Sequence, residues 1–267
     1  MDSSPNAPQI SVILPTLNEK ENIRLLVEKI SESLQGIRFE ILIIDDHSPD
    51  GTFETARRLA QEFSSVKCFL RKEHRSFCRA LQFGIDRSLG KVIIWMDCDL
   101  SHPPEMIPEM FFIIDRNQAD AVVPSRFLPG SLDLTARDSS LIQLHKVLSR
   151  MLNISCRFIL NRSFHDWTSG YIAVRSEVVR LHPVPQDYGA YFIQLIFEFL
   201  NSGYRIREIP FTSPPRRFGQ SKTVTGFPSL LTSGWKYLKV LFTLIFRKYA
   251  RFPGSFISQF KKPIDFE

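Results

Sequence analysis

The chain has 267 residues, 43% hydrophobic and 23% charged, a balance that fits a globular fold of about one domain or slightly more and excludes a disordered chain. Its net charge of +6 is uneven: twelve of the 34 basic residues but three of the 28 acidic ones lie from Gly203 onward, leaving 22 basic against 25 acidic before it. This excludes a uniformly basic coat for nucleic acid and points instead to a local basic end.

The first half alternates strand and helix patterns. Ile10–Pro15 is a short apolar run that reads as a buried strand. Lys20–Leu34 follows with a helical period through Ile23, Leu26, Val27 and Ile30. Phe39–Asp46 is a second buried strand. A helix then runs from about Thr52 to Phe63, with Asp50 or Thr52 as its N-cap. Val66–Leu70 reads as a strand, Arg75–Leu89 as a helix and Lys91–Met96 as a strand. A helix to about Arg116 and a strand at Ala121–Ser125 complete this half. Such alternation predicts an α/β fold, a mostly parallel sheet with helices on both faces.

The second half is less regular. A long helix is expected over Ser139–Leu160. Strands are expected at Tyr171–Arg175 and Arg205–Pro210, flanking a helix over Tyr191–Leu200. Thr212–Thr225 reads as a mobile loop and Trp235–Arg251 as a final helix. Its Lys236, Lys239, Thr243 and Arg247 form one polar stripe on an otherwise apolar and aromatic surface. That pattern suits either a helix in a bilayer interface or one packed on the core. The chain is therefore expected to divide into residues 1–225, an α/β body, and 226–267, a basic amphipathic helix and tail.

Cys68, Cys78, Cys98 and Cys156 show no paired spacing, which suits a reducing compartment and neither a zinc knuckle nor a disulfide framework. The opening MDSSPNAPQ lacks a signal-peptide pattern, and no 18-residue uncharged apolar run predicts a membrane span. Asn153-Ile-Ser155 and Asn161-Arg-Ser163 match glycosylation acceptors, which a chain without a signal would not use.

Ligands of an open parallel sheet bind beyond the carboxyl ends of its strands. Here the first strand ends in Pro15-Thr16-Leu17-Asn18-Glu19. The second ends in Asp45-Asp46-His47-Ser48-Pro49-Asp50-Gly51-Thr52, and the fourth in Asp97-Cys98-Asp99. Acids converging on one rim are costly without a cation, and bound Mg²⁺ or Mn²⁺ with a diphosphate is the usual remedy. The Ser48–Thr52 run also reads as a turn with a helix cap. The absence of G-x-G-x-x-G and G-x-x-x-x-G-K-[ST] disfavours dinucleotide and P-loop sites.

These segments resemble glycosyltransferase family 2 enzymes of the Rossmann-like GT-A fold, in the branch acting on dolichyl or polyprenyl phosphate. The resemblance continues through Asp97-Cys98-Asp99-Leu100-Ser101-His102-Pro103, Ser125-Arg126-Phe127 and Lys146–Arg150 with Asn153. It extends through Asp166–Tyr171, Tyr191–Gln194 and Arg216–Lys222, covering roughly residues 10–225.

The resemblance implies an inverting, metal-dependent transferase at the cytoplasmic face of a membrane. It would move a hexose, mannose from GDP-mannose by preference, from a nucleotide-sugar donor to a polyprenyl or dolichyl phosphate. It also leaves room for a membrane-anchored partner subunit. Pro15, Glu19 and Asp46 would hold base and ribose, with Leu17, Asp45 and Cys98 completing the nucleotide set. Asp97 and Asp99 would bind the metal. Arg126, His145, Lys146, Ser149 and Ser221 would meet the lipid phosphate. Arg216, Ser221 and Lys222 would belong to a closing loop, with Arg126, Arg216 and Lys222 counted among the catalytic groups.

The lipid phosphate is an ionised nucleophile, so a strong general base is not required; neutralisation of crowded phosphates is. Three positions depart from the family pattern. His74–Ala80 replaces a glycine-rich run. His145 stands where arginine is common and predicts pH-dependent acceptor binding. Ile196 replaces an acid, with Glu198 two residues on. Another donor (UDP-glucose or a UDP-N-acetylhexosamine), another acceptor, or a weakly active or non-catalytic nucleotide-sugar-binding protein are the alternatives.

Overall fold

The computed structural model describes residues 7–134, 140–185, 190–215, 217 and 227–250. Strands and helices alternate as β1 (Ile10–Thr16), α1 (Lys20–Ser33), β2 (Phe39–Asp45), α2 (Thr52–Glu62), β3 (Val66–Leu70), α3 (Phe77–Arg87) and β4 (Val92–Trp95). A 3-10 turn at Pro104–Met106 leads into α4 (Ile107–Asp115), β5 (Ala121–Ser125), β6 (Leu132–Asp133), α5 (Ser140–Ile159) and β7 (Ile172–Arg175). The chain continues through α6 (Ser176–Leu181), α7 (Tyr191–Asn201), β8 (Ile206–Pro210), β9 (Thr212–Ser213) and α8 (Phe227–Ala250).

The strand sequences carry apolar side chains at nearly every position because both faces of the sheet are covered. Ile13, Leu42, Ile44, Ile93 and Trp95 face one core. Their neighbours Val12, Leu14, Ile41, Ile43 and Ile94 face the other, the period of two that a strand imposes. The sheet has seven strands in the order β3-β2-β1-β4-β7-β5-β8. β1 pairs in parallel with both β2 and β4, so the connections diverge to either side of β1. That divergence opens a crevice at the strands' carboxyl ends, where ligands settle.

β7 differs from the parallel expectation: it runs antiparallel between β4 and β5. The sheet remains mostly parallel. The pattern Ile172–Arg175 marks a buried strand but carries no direction, which is set by the path the chain takes after α5. The two-residue strands β6 and β9 pair in parallel as a separate ribbon. Two residues are too few for any periodic signal, and Thr212–Ser213 therefore departs from the loop expected over Thr212–Thr225. α8 begins at Phe227, earlier than Trp235. Its Val240, Leu241 and Leu244 share a core with Trp95 of β4 and Phe192 of α7.

Close approach to backbone fixes Gly90 as glycine. A Cβ at Gly90 would lie 2.5 Å from the Ser11 backbone nitrogen, so only glycine lets this turn reach β1. The Gly90 N–H donates to Ser11 Oγ at 2.8 Å, and Ser11 donates to the buried Glu40 carboxylate at 2.6 Å.

Candidate active site

The loop after β1 is tied to the loop after β2 by side chains of the Ser48–Thr52 run. Asn18 N–H donates to Ser48 Oγ at 2.9 Å, Glu19 N–H to Thr52 Oγ1 at 2.9 Å, and Lys20 N–H to Asp50 Oδ2 at 3.2 Å. Asp50 Oδ1 also accepts from the Thr52 amide at 3.0 Å and the Thr52 hydroxyl at 2.5 Å. Burial works to raise the Asp50 pKa, but these Thr52 and Lys20 bonds outweigh it and hold the carboxyl below its ordinary value. Gly51, at φ 90°, occupies the N-cap position of α2, and Thr52 is its first helical residue. The sequence had pointed to Asp50 or Thr52; a left-handed glycine takes the position because the turn demands positive φ.

The acids on this rim are neutralised largely by the protein itself. Asp45 is fully buried and accepts from the Ser48 amide at 2.9 Å, the Ser48 hydroxyl at 2.5 Å and Thr16 Oγ1 at 3.3 Å. Asp46 pairs with Arg71 at 4% and 6% side-chain exposure and accepts the Ser76 N–H at 2.7 Å. Burial pushes the Asp46 carboxyl up, against the Ser76 amide and Arg71 that favour its charge. Glu19 accepts from Asn22 Nδ2 at 2.9 Å. Asp45, Asp46 and Asp50 thus accept from amides, hydroxyls and a guanidinium. Arg71 was missed in the sequence because its partner lies 25 residues away. Of the residues expected to hold a nucleotide, Pro15 and Cys98 are in direct contact. Pro15 extends β1 beside Ile44, and its carbonyl accepts from Cys98 Sγ at 3.6 Å.

The Asp97-x-Asp99 turn leaves β4 at the crevice. Asp97 is exposed, whereas Asp99 is buried and accepts the Ser101 amide and hydroxyl at 3.0 and 2.6 Å. Leu100 adopts φ 65°, a conformation unfavourable for a non-glycine residue. Across the crevice, the Arg217 N–H donates to the Asp99 carbonyl at 3.3 Å and Ser213 Oγ to the Ser101 carbonyl at 3.3 Å. The segment expected to close the site thus begins against this turn. Arg216, Ser221 and Lys222 lie outside the described residues.

Arg126, expected to meet an acceptor phosphate, sits at the end of β5. Its backbone N–H, Nε and Nη2 all donate to the Asp166 carboxylate at 2.8–2.9 Å, and Nη2 also reaches Thr168 Oγ1 at 3.0 Å. Asn153 Nδ2 donates to the same hydroxyl at 2.9 Å, and Ser149 Oγ lies 3.4 Å from it. Burial opposes the Arg126 charge, but Asp166, Asp133 and Asp97 raise its pKa. β4 and β5 both run antiparallel to β7, so Arg126 and the Asp97-x-Asp99 turn leave the sheet at the same edge. Lys146 pairs with Asp133 at 3.3 Å.

His145 is held below the ordinary histidine value by burial and then by Arg126. Asp166, Thr168, Asn153 and Glu208 were missed as members of this cluster. Glu208 fixes the His165 and Asp166 amides at 2.8 and 2.9 Å. The sequence carried Asp166–Tyr171 as a motif but no sign of its partner. Asn153, in a glycosylation-type triplet, is buried and serves this network.

The departures have structural counterparts. Ser76 caps α3 by accepting the Arg79 N–H at 3.4 Å, so the helix starts at Phe77, later than Arg75. Arg75 bonds the His47 carbonyl at 2.7 Å, and Phe77 packs 5.3 Å from the Tyr191 ring. Ile196 is fully buried; Glu198 faces away and pairs with Arg247 of α8 at 2.9 Å.

Residues 11–181 match the family model described as glycosyl transferase family 2. A dolichol-phosphate mannosyltransferase of Pyrococcus furiosus is 34% identical over 221 residues, covering 80% of this chain and 59% of that protein. A polyprenol monophosphomannose synthase of Mycolicibacterium smegmatis is 34% identical over 218 residues, covering 79% of each. The chain therefore spans less than two thirds of the archaeal relative it matches. Glucosyl-3-phosphoglycerate synthase from Mycobacterium tuberculosis, solved with Mn²⁺, UDP and glucosyl-3-phosphoglycerate, superposes with a TM-score of 0.66 at 18% identity, covering 89% of this chain and 80% of that one. By sequence and by fold, then, the chain belongs to glycosyl transferase family 2 and carries the GT-A architecture.

Proposed function

We propose that this chain transfers mannose from GDP-mannose to the phosphate of a polyprenyl or dolichyl lipid, with inversion. The observation that carries the reading is that the Asp97-x-Asp99 turn after β4 and Arg126 after β5 leave the sheet at the same edge, since β4 and β5 both run antiparallel to β7. The names of the two relatives support the sugar and the lipid phosphate. Arg126, held rigidly by Asp166, would orient the acceptor phosphate, and Lys146 would add charge. The phosphate oxygen then attacks the anomeric carbon opposite the departing diphosphate, which accounts for inversion.

The donor set at the turn suits a hard divalent cation. Asp97 and Asp99 offer carboxylate oxygens, and no group of three His, Cys, Asp or Glu lies together among the described residues. Magnesium and manganese are bound in this way, by one or two carboxylates, with substrate phosphates and water completing the shell. Asp97 and Asp99 would hold Mg²⁺ or Mn²⁺, which when bound neutralises charge on the leaving diphosphate. The mycobacterial structural neighbour contains Mn²⁺.

Labelled nucleotide sugars incubated with polyprenyl phosphate and extracted into organic solvent test the reading. Label from GDP-mannose should enter the lipid phase. Asp99→Ala should lower transfer by on the order of 10²-fold or more while leaving circular dichroism unchanged; full activity in that variant overturns the assignment. A second reading keeps the reaction but changes the donor to a UDP-sugar. It is favoured by Asp46, which is occupied by Arg71 and Ser76. Lipid label from UDP-glucose or a UDP-N-acetylhexosamine, and none from GDP-mannose, would establish it.

The acceptor is a membrane lipid, and two packed helices offer a surface for the bilayer. α8 exposes Trp235, Leu238, Phe242 and Phe246, and α5 exposes Val147, Met151, Ile154 and Phe158. The exposed basic residues Arg150, Arg157, Lys236, Lys239 and Arg247 lie on the same two helices, as an anionic headgroup surface would require. No helix among the described residues is long and apolar enough to cross a membrane. Peripheral attachment at the cytoplasmic face follows from this reading, since nucleotide sugars of this kind are cytoplasmic substrates. A membrane-anchored partner subunit is compatible with the same surface.

A further inference from the structure

His102 is buried at 6% exposure, beside the carboxylate pair, and belongs to none of the binding sets above. Its Nδ1 accepts the backbone N–H of Asp97 at 3.0 Å. The ring stacks on Tyr171 with centroids 4.8 Å apart and planes 13° apart. Tyr171 is itself anchored by its hydroxyl, which donates to the Pro103 carbonyl at 3.0 Å. Phe211 closes the edge, 6.5 Å from His102 and 6.4 Å from Tyr171. Both faces of the turn are therefore pinned. Asp99 is held by Ser101, and Asp97 is held through its amide by His102.

The left-handed Leu100 is what lets a ring only five residues on fold back onto that amide. A strained residue of this kind persists only where its surroundings fix it. Removing the acceptor would leave the Asp97 amide without this partner and free the chain to relax. The exposed Asp97 carboxylate would then shift relative to the buried Asp99.

We propose that His102 is a positioning residue for the donor site, setting the separation of the Asp97 and Asp99 carboxylates by accepting the Asp97 amide proton while locked against Tyr171. This rests on the assignment of those carboxylates to a divalent cation and the donor diphosphate. The hydrogen bond and the ring stack are separable by substitution. His102→Phe keeps a flat ring on Tyr171 but has no acceptor. His102→Asn loses the ring but places a carbonyl oxygen where Nδ1 stood.

The test measures Mn²⁺ binding with GDP or UDP present, from the electron paramagnetic resonance signal of free Mn²⁺, together with thermal melting and donor kinetics. His102→Phe is expected to weaken Mn²⁺ binding about tenfold or more, the scale on which groups supporting metal ligands act, and to raise the donor KM with little loss of melting temperature. His102→Asn is expected to restore Mn²⁺ affinity to within about threefold of the parent. Parent-like Mn²⁺ affinity in His102→Phe overturns the proposal, as does an equal loss in His102→Asn. If His102→Phe does not fold, His102→Leu replaces it with the same expectation. A parent protein that binds no Mn²⁺ overturns the assignment of the carboxylates and this proposal with it.

Discussion

Asp166 has no exposed surface, yet it receives three hydrogen bonds from Arg126. Removing it strands a guanidinium whose desolvation was offset by that carboxylate. The Arg126 side chain keeps 28% exposure, so the cost of Asp166→Ala falls at the low end of the range for breaking buried pairs, about 3 kcal/mol. Denaturant unfolding should show that loss, and the KM for polyprenyl phosphate should rise because Arg126 is no longer aimed. His145 sits nearby with its pKa lowered by burial and Arg126. At this site protons bind the unfolded chain more tightly than the folded one. Its stabilising share is full above the ordinary histidine value of 6.5 and is lost as pH falls through that value toward the lowered one. Melting curves at about pH 8 and about pH 5.5 should therefore show a larger acid loss in the parent than in His145→Gln.

At the scale of elements, α8 joins two kinds of contact. Leu244 is 1% exposed in the core shared with β4 and α7, while the Arg247–Glu198 pair is 59% and 32% exposed. Cavity formation outweighs a screened ion pair. Leu244→Ala should cost about 2–4 kcal/mol and Arg247→Ala about 0.5 kcal/mol, a contrast read from urea midpoints. Lys248 adds a further tie by donating to the Ile159 and Leu160 carbonyls at 2.7 and 2.8 Å, at the end of α5. Those carbonyls have no onward helical partner, and burial holds the Lys248 pKa down.

For the whole molecule, the sign of the charge follows the work each part does. The crevice acids are answered by Arg71, Arg126 and local amides. Much of the basic excess lies on α8, alongside exposed aromatic side chains. If that face meets a bilayer, replacing Trp235, Phe242 and Phe246 by serine should abolish co-flotation with anionic liposomes, since each large side chain contributes about 1.5–3 kcal/mol when buried. Melting should be unchanged, because all three are exposed. Equal flotation of parent and variant would remove α8 from the interface. Point substitutions are the cleaner probe, since deleting residues 226–267 would also strip Val240, Leu241 and Leu244 from the core.

By itself, the sequence determined the strand–helix alternation and the position of a carboxylate pair, Asp97 and Asp99, directly after a buried strand. Each is written in local pattern: apolar runs of strand length, helical periods, and polar residues immediately after a strand. It also brought Arg126, His145, Lys146 and Ser149 into one candidate set through the family resemblance. The tertiary structure alone decided the antiparallel placement of β7, the capture of Asp46 by Arg71 and Ser76, the clamp of Asp166 on Arg126 and the seat of His102 beneath Asp97. Which charges are neutralised, and which remain at the crevice, depends on contacts between residues 25 to 43 positions apart. No periodicity encodes those contacts; they form only when the strands of the sheet come together and desolvation forces each buried charge to find a partner.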